Sequence, residues 1–349
     1  MRAMEQAQLA AMDDRLDRLV NIDIGNRGIE PLYVAAREQQ GQALVGAAAD
    51  ALLAVPEGGT VILTTGSVSR AWISAAIGEN DGPSGAAALA RALVLARRAT
   101  VVLVAEEALL GPIGRVCQAG GLALVDLDQA RLANSEGSLA VMVARPFPLT
   151  DEEGPTAAVS MLDELRPDLL ISTERVGRNE NGVYYNMRGR DYGMGRARID
   201  DLFDAGRERG IPVVAIGDGG NEIGMGNVTD QVKEHIPFGA QGSCPCGGGI
   251  GAVSTAEVLV TAAVSNWGCS AIVAAMAARR GDSRLLHTPQ AERRLLDVMT
   301  AEGLINSTHG IIDDHVDGMP PETHVAVTEL CTAIIAEALK SKMGPASRS

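Results

Sequence analysis

Lysine is nearly missing from this chain: of 349 residues only Lys233, Lys340 and Lys342 are lysine, so almost all positive charge is arginine. A pyridoxal-phosphate enzyme needs a buried lysine for its Schiff base. Two of the three stand close to the C-terminus, which leaves Lys233 alone and counts against that cofactor. Positive charge as a whole is short, with a net charge of −14 and a pI near 4.8. Nucleic acid and anionic membrane surfaces need clustered positive potential, so both are excluded as partners in favour of a small solute. Cysteine is sparse as well. Cys117, Cys244, Cys246, Cys269 and Cys331 are odd in number and follow no regular framework, which predicts a reducing compartment. Long apolar runs are absent too. The most lipophilic stretch, residues 258–278, is broken by Thr261, Ser265, Asn266, Gly268 and Ser270, and reads as a buried strand and helix instead of a membrane span. The N-terminal "MRAMEQAQLAAMDDRLDRL" carries Asp13, Asp14 and Asp17 and lacks the patterns of signal and transit peptides. It reads as an amphipathic surface helix over 1–19, and the whole as a soluble cytoplasmic protein.

What the chain does have is aliphatic residues and glycine: 46% hydrophobic with 40 glycines. That composition suits a packed α/β protein with tight turns, and the length admits one large domain or two joined ones. Short β-branched runs recur at "TVILTTG" from Thr60, "TVVLVAE" from Thr100, "LALVDLD" from Leu122, "DLLISTE" from Asp168 and "PVVAIGD" from Pro212. Helical patterns alternate with them, such as "GAAALARALVLARRA" after Gly85 and "RIDDLFDAGRERG" after Arg198, the latter closing on Gly210. The alternation predicts a mostly parallel sheet with helices on both faces, a Rossmann-like three-layer α/β architecture. The domain spans 20–338, with a flexible tail over 339–349. Low aromatic content and the apolar segment around Trp267 point to a homo-oligomer.

The predicted strands end at Thr65/Gly66, Glu106/Glu107, Asp126, Glu174/Arg175 and Asp218/Gly219, so polar groups gather along the edge where open parallel sheets bind ligands. Strand ends are polar in any case, and for Asp126 and the Glu106/Glu107 pair that plain reading stands equally. In "GDGGNEIGMG", Asp218 and Glu222 flank Asn221, and Gly219 and Gly220 let backbone amides face a ligand. Asp218, Asn221 and Glu222 form a hard-oxygen set suited to Mg²⁺, Mn²⁺ or Ca²⁺. Neither the dinucleotide fingerprint nor a Walker lysine is present, so NAD is not expected. The segment 174–195 is dense in arginine. Arg175 and Arg188, with Tyr184 and Asn186, are candidates to grip an anionic substrate, while Arg178 and Arg190 read singly as solvated loop residues. Glu79 and Asp81 precede a turn at Gly82, Pro83 and Gly85 that opens a helix, whose first amides could attract a carboxylate. "CPCGGG" lacks zinc-finger spacing and reads as a structural loop, and no serine-hydrolase or zincin motif occurs.

Taken together, "DIGNRGI" at Asp23, "ENDGPSGAAALARAL" at Glu79, "ERVGRNENGVYYNMRG" at Glu174, "DDLF" at Asp200, "GDGGNEIGMG" at Gly217, "VSNWG" at Val264 and "VDGMP" at Val316 resemble the D-glutamate cyclase family over roughly residues 20–335. The resemblance implies conversion of D-glutamate to 5-oxo-D-proline and water. For that chemistry the candidate catalytic residues are Asp218, Glu222, Glu174 and Arg175. Glu79, Asp81, Gly82, Arg188, Tyr184, Asn186, Gly219, Gly220 and Asn266 are the candidates for substrate binding. A carboxylate would take the ammonium proton, and a metal or Arg175 would stabilise the oxyanion. Two alternatives stay open: a metal-dependent small-molecule phosphohydrolase, and a non-catalytic binder of an amino acid or nucleotide.

Overall fold

The computed structural model describes residues 2–342. Seven strands form one sheet: β1 (Thr60–Thr65), β2 (Thr100–Ala105), β3 (Ala123–Leu124), β4 (Val141–Pro146), β5 (Leu169–Thr173), β6 (Val213–Gly217) and β7 (Val258–Thr261). All pairings are parallel, in the order β3-β4-β2-β1-β5-β6-β7. The central strands are buried along their whole length, which is why they read as continuous aliphatic runs with no alternation. "LALVDLD" departs from its expected strand. Only Ala123–Leu124 pairs, and Asp126 instead caps the next helix in a reciprocal box with Gln129, so this strand end is structural.

Twelve α-helices cover the sheet among the described residues: α1 (Arg2–Val20), α2 (Ile29–Gln40), α3 (Leu44–Ala54), α4 (Pro83–Arg97), α5 (Glu107–Ala119), α6 (Leu127–Glu136), α7 (Gly154–Leu165), α8 (Ile199–Glu208), α9 (Thr229–His235), α10 (Ser265–Arg280), α11 (Pro289–Ala301) and α12 (Pro321–Lys342). The result is a three-layer α/β fold. From β1 the chain runs through α4 to β2, while from β5 it runs through α8 to β6 on the other side of β1. Right-handed crossovers put those two connections on opposite faces. A crevice therefore opens beyond the carboxyl ends of β1 and β5, the place where ligands enter such sheets.

Three expectations change. The first helix is not a surface element: Leu16, Asp17 and Val20 are fully buried, and α1 packs on α3, α10 and α12. Asp17 accepts the backbone N–H groups of Leu44 and Val45 at 2.8 and 2.9 Å, capping α3, whose own N-cap position is an alanine with nothing to offer. Next, α10 is buried through Ala278, so the apolar segment around Trp267 is core and supplies no surface for self-association. Finally, Cys244 and Cys246 form a disulfide, which leaves Cys117, Cys269 and Cys331 as buried free thiols. The predicted tail begins inside the last turn of α12, which runs to Lys342, and residues 343–349 lie outside the described residues. Among the described residues no helix is long and apolar enough to cross a membrane.

Candidate active site

The glycine-rich turn after β6 holds an anion, and the anion is its own. The Glu222 carboxylate accepts the backbone N–H groups of Asp218, Gly219 and Gly220 at 3.2, 2.8 and 2.8 Å. Gly220 sits at φ +107°, which turns its amide inward, and a Cβ on Gly219 would lie 2.6 Å from the Met187 sulfur. Gly219 and Gly220 are thus spent on Glu222 and have no amide left for substrate. The nest pins Glu222 in place, with Asn221 anchored beside it by its amide nitrogen donating to Tyr185 O at 2.7 Å.

Asp218, buried beside Glu222, turns its carboxylate to Arg27. Arg27, from the loop between α1 and α2, grips it in bidentate fashion at 2.9 Å through both terminal nitrogens and reaches Asp317 at 2.5 Å with the same group. Arg27 is itself set by Asp23, whose carboxylate accepts the N–H groups of Arg27 and Gly28. Asp81 and Glu174 complete the floor. Asp81 receives Gly82 N–H at 2.8 Å, and Glu174 receives Ser265 Oγ–H at 2.6 Å. Burial pushes the Glu174 carboxyl well above the usual range, with the Asp81 and Glu222 charges adding to it. Asp81 is pushed up by burial and by Asp317. Burial also raises Asp218, outweighing the pull of Arg27. Asp317 goes the other way: despite burial, Arg27 and hydrogen bonds from Asp218 and Asp81 hold it low, so the floor's negative charge settles there. Glu79, beside the floor and accepting Ser67 Oγ–H at 2.7 Å, is lifted by burial to about 7 against the opposing pull of Arg196.

Above this floor opens a cavity of about 520 Å³. Its wall includes Arg70, Arg188, Arg190, Trp72, Tyr192 and the segment Ser307–His309. Among the described residues these arginines, unlike Arg27, have no carboxylate partner. Arg188 donates to Thr308 O at 3.0 Å and Arg70 to Ser307 O at 3.1 Å. Arg190 is held through its backbone N–H, which donates to Asn186 Oδ1 at 3.1 Å. Arg70, Glu174 and Asp317 all line the cavity with positive φ, at 57°, 54° and 51°. Left-handed backbone at non-glycine residues costs about 1–3 kcal/mol each and collects at functional sites.

Several predicted residues are placed elsewhere. Arg175 is fully buried and committed to Glu106, at 2.8 and 2.7 Å, and to the carbonyls of Gly66 and Ala197. It braces the strand ends and does not face the cavity. Tyr184 donates to Asp200, away from the site. Arg178 pairs with Asp200, Asp201 and Asp204. The start of α4 is already filled: Asn266 Oδ1 accepts Gly82 and Gly85 N–H at 3.1 and 2.8 Å, so Gly82 and Asn266 are a cap and not a substrate clamp. Gly82, at φ +98°, has no room for a Cβ, which would stand 2.5 Å from Thr65 Oγ1. Of the expected metal triad, Asn221 turns its amide nitrogen to Tyr185, while Asp218 and Glu222 stay together. Carboxylate oxygens that approach within 4.8 Å of each other are those of Asp81, Asp218 and Asp317, and of Glu174, Asp218 and Glu222. Either set offers hard oxygen donors for a divalent cation. Arg27 and Asp317 escaped the residue-by-residue reading, although both stand inside stretches that carried the family likeness, "DIGNRGI" and "VDGMP".

The fold and this pocket define an α/β protein with an acid-floored, arginine-walled site at a sheet switch point. The family model for the C-terminal part of D-glutamate cyclase-like proteins matches residues 16–331, and the chain belongs to that family. It is 28% identical over 328 residues to the human mitochondrial D-glutamate cyclase, covering 87% of this chain. The chain spans about half that relative's length, 48%.

Proposed function

We propose that the chain is a lyase that closes D-glutamate to 5-oxo-D-proline with release of water. The observation that carries this reading is the division of charge inside one cavity, with surplus carboxyls below and acid-free arginines above. A glutamate zwitterion has the matching pattern of one ammonium and two carboxylates. The ammonium lies over Asp317 and its neighbours, and Arg70, Arg188 and Arg190 take the carboxylates.

Closure forms the N–Cδ bond and breaks one Cδ–O bond of the side-chain carboxyl. The ammonium gives up two of its three protons and the departing oxygen receives two, so no proton is gained or lost overall. Glu79, poised near neutrality by burial, is suited to carry a proton from nitrogen to oxygen. Glu174, whose carboxyl burial pushes well above the usual range, is suited in its protonated form to donate a hydrogen bond to the side-chain carboxyl and make its carbon electrophilic. Attack is intramolecular, so most of the work is holding the folded conformer.

The test is incubation of purified protein with D- and L-glutamate, with and without a chelator, followed by chromatographic assay of 5-oxoproline. Product from the D isomer is the expected result, and no product from either isomer rejects the reading. The two carboxylate groupings around Asp218 favour a second reading with a divalent ion in the floor. Turnover that disappears with chelator and returns with Mg²⁺ or Mn²⁺ would support it.

A further inference from the structure

A second cavity, of about 160 Å³, lies between α4, the turn at Gly120 and the start of α11. Its charged walls are Arg91 and Arg294, joined by His287, Thr288 and Gln290. Neighbouring arginines are paired with acids. Arg293, next in sequence, pairs with Asp297 and Asp314, and Arg115 with Glu302. Among the described residues Arg91 and Arg294 have none. Arg91 donates to Leu285 O at 3.4 Å and Arg294 to Ala119 O at 2.8 Å, both backbone carbonyls, which leaves most of their donors unused. Glu292, the acid at hand, is already taken by His287 at 2.6 Å. Burial and the neighbouring Arg294 charge lower the Arg91 pKa, and no carboxylate counters them. Arg91 is part-buried and Arg294 reaches solvent, and the charge of Arg294 opposes that of Arg91, a repulsion that an anion between them would relieve.

We propose that this second cavity binds a phosphate group, either inorganic phosphate or the phosphoryl end of a small molecule, between Arg91 and Arg294. The guanidinium fork matches phosphate oxygens in bidentate fashion. The cavity is below the roughly 300–1,000 Å³ of a site for a drug-sized ligand, which suits an oxyanion and a few waters. Thr288 caps α11 there, so the positive end of a thirteen-residue helix adds to the field. This site shares no lining residue with the first cavity and does not depend on the reaction catalysed there.

The experiment titrates the whole protein with inorganic phosphate, and separately with glycerol 3-phosphate, against sodium chloride at matched ionic strength. Calorimetry and thermal denaturation are the readouts. The expected result is saturable one-site binding with a rise in Tm, weakened about tenfold or more by Arg91→Gln or Arg294→Gln and unchanged by Arg190→Ala in the first cavity. Tighter binding of the ester assigns the site to a phosphorylated metabolite, and equal or weaker binding assigns it to free phosphate. No saturable response to either ligand up to roughly 50 mM overturns the proposal, and wild-type protein alone decides this. So does binding that survives both arginine substitutions, or that vanishes with Arg190→Ala.

Discussion

Two arginine–carboxylate pairs, one sealed and one part-buried, stand at the same edge of the sheet, and they are built for opposite ends. Arg175 holds Glu106 at 2.7 and 2.8 Å, and Arg27 holds Asp218 at 2.9 Å twice. Around Arg175 the charges balance: one base, one acid, two carbonyls, and the Ala197 N–H as a third donor to Glu106 at 3.0 Å. Around Arg27 they do not. One guanidinium serves Asp218 and Asp317, with Asp81 and Glu174 close by and a cavity above. Satisfied charge sealed on all sides is scaffold, whereas surplus charge beside open space waits for a ligand. The same contrast separates Arg175 from the acid-free arginines of the cavity wall.

The largest effect that could break this comparison is on stability. Arg175→Ala strands a buried carboxylate, and chemical denaturation should show a loss of about 3–5 kcal/mol. Asp218→Asn thins an overcrowded cluster and should change stability by less than about 1 kcal/mol. Equal losses in both would erase the distinction between scaffold and site. Next comes turnover. Glu79→Gln removes the proton carrier but keeps the shape, and kcat for 5-oxoproline formation should fall about 10²–10³-fold with the fold intact by circular dichroism. A fall below threefold would remove Glu79 from the chemistry.

The two clusters also answer to pH with opposite signs. Glu79 has a folded pKa of about 7 against an ordinary 4.5, so its contribution to stability is complete below pH 4.5 and disappears as pH rises through 7. Its share is on the order of 3 kcal/mol. Glu106 is held below its ordinary value, burial being outweighed by Arg175, so its contribution is present above that value and is lost on acidification. Denaturation midpoints should therefore drop between pH 5 and pH 8, and Glu79→Gln should flatten the slope. A midpoint that rises over this window would reverse the assignment.

Much of the scaffold was legible in the chain because burial on both faces leaves an unmistakable mark: "TVVLVA" and "LLIST" could be little else than central strands. The edge was harder to read. β3 is two residues long, and β4 drifts from buried to exposed over "VMVARP", so neither carries a strong periodic signal. In the site, Asp218 and Glu174 were visible because each follows a strand end, and Glu79 and Asp81 because they precede a glycine turn that opens a helix. Direction was not visible. Whether Arg175 reaches the cavity depends on partners 22 to 69 residues away, Ala197 and Glu106, and whether Glu222 faces a ligand or its own amides depends on the backbone path of the glycine turn. Arg27 and Asp317 lie 290 residues apart, and no local pattern announces their meeting.

Arg190 gives the finest version of the comparison, since the sequence reading set Arg175 in the site and Arg190 in a solvated loop. It lines the cavity, its backbone is tied to Asn186 Oδ1, and no carboxylate holds its guanidinium. Such a group contributes to holding the substrate before and during reaction alike, so its loss weakens binding without slowing chemistry. Arg190→Ala should raise KM for D-glutamate about tenfold, equivalent to about 1.4 kcal/mol, and leave kcat within about threefold. Arg188, which also donates to Thr308 O, should show a smaller rise because part of its hydrogen bonding is already spent on the wall. If kcat fell and KM stayed put, Arg190 would be acting on the transition state. The anionic end of the substrate would then have to be held by Arg70 instead, the wall arginine nearest in sequence to Glu79 and tied to the opposite loop at Ser307.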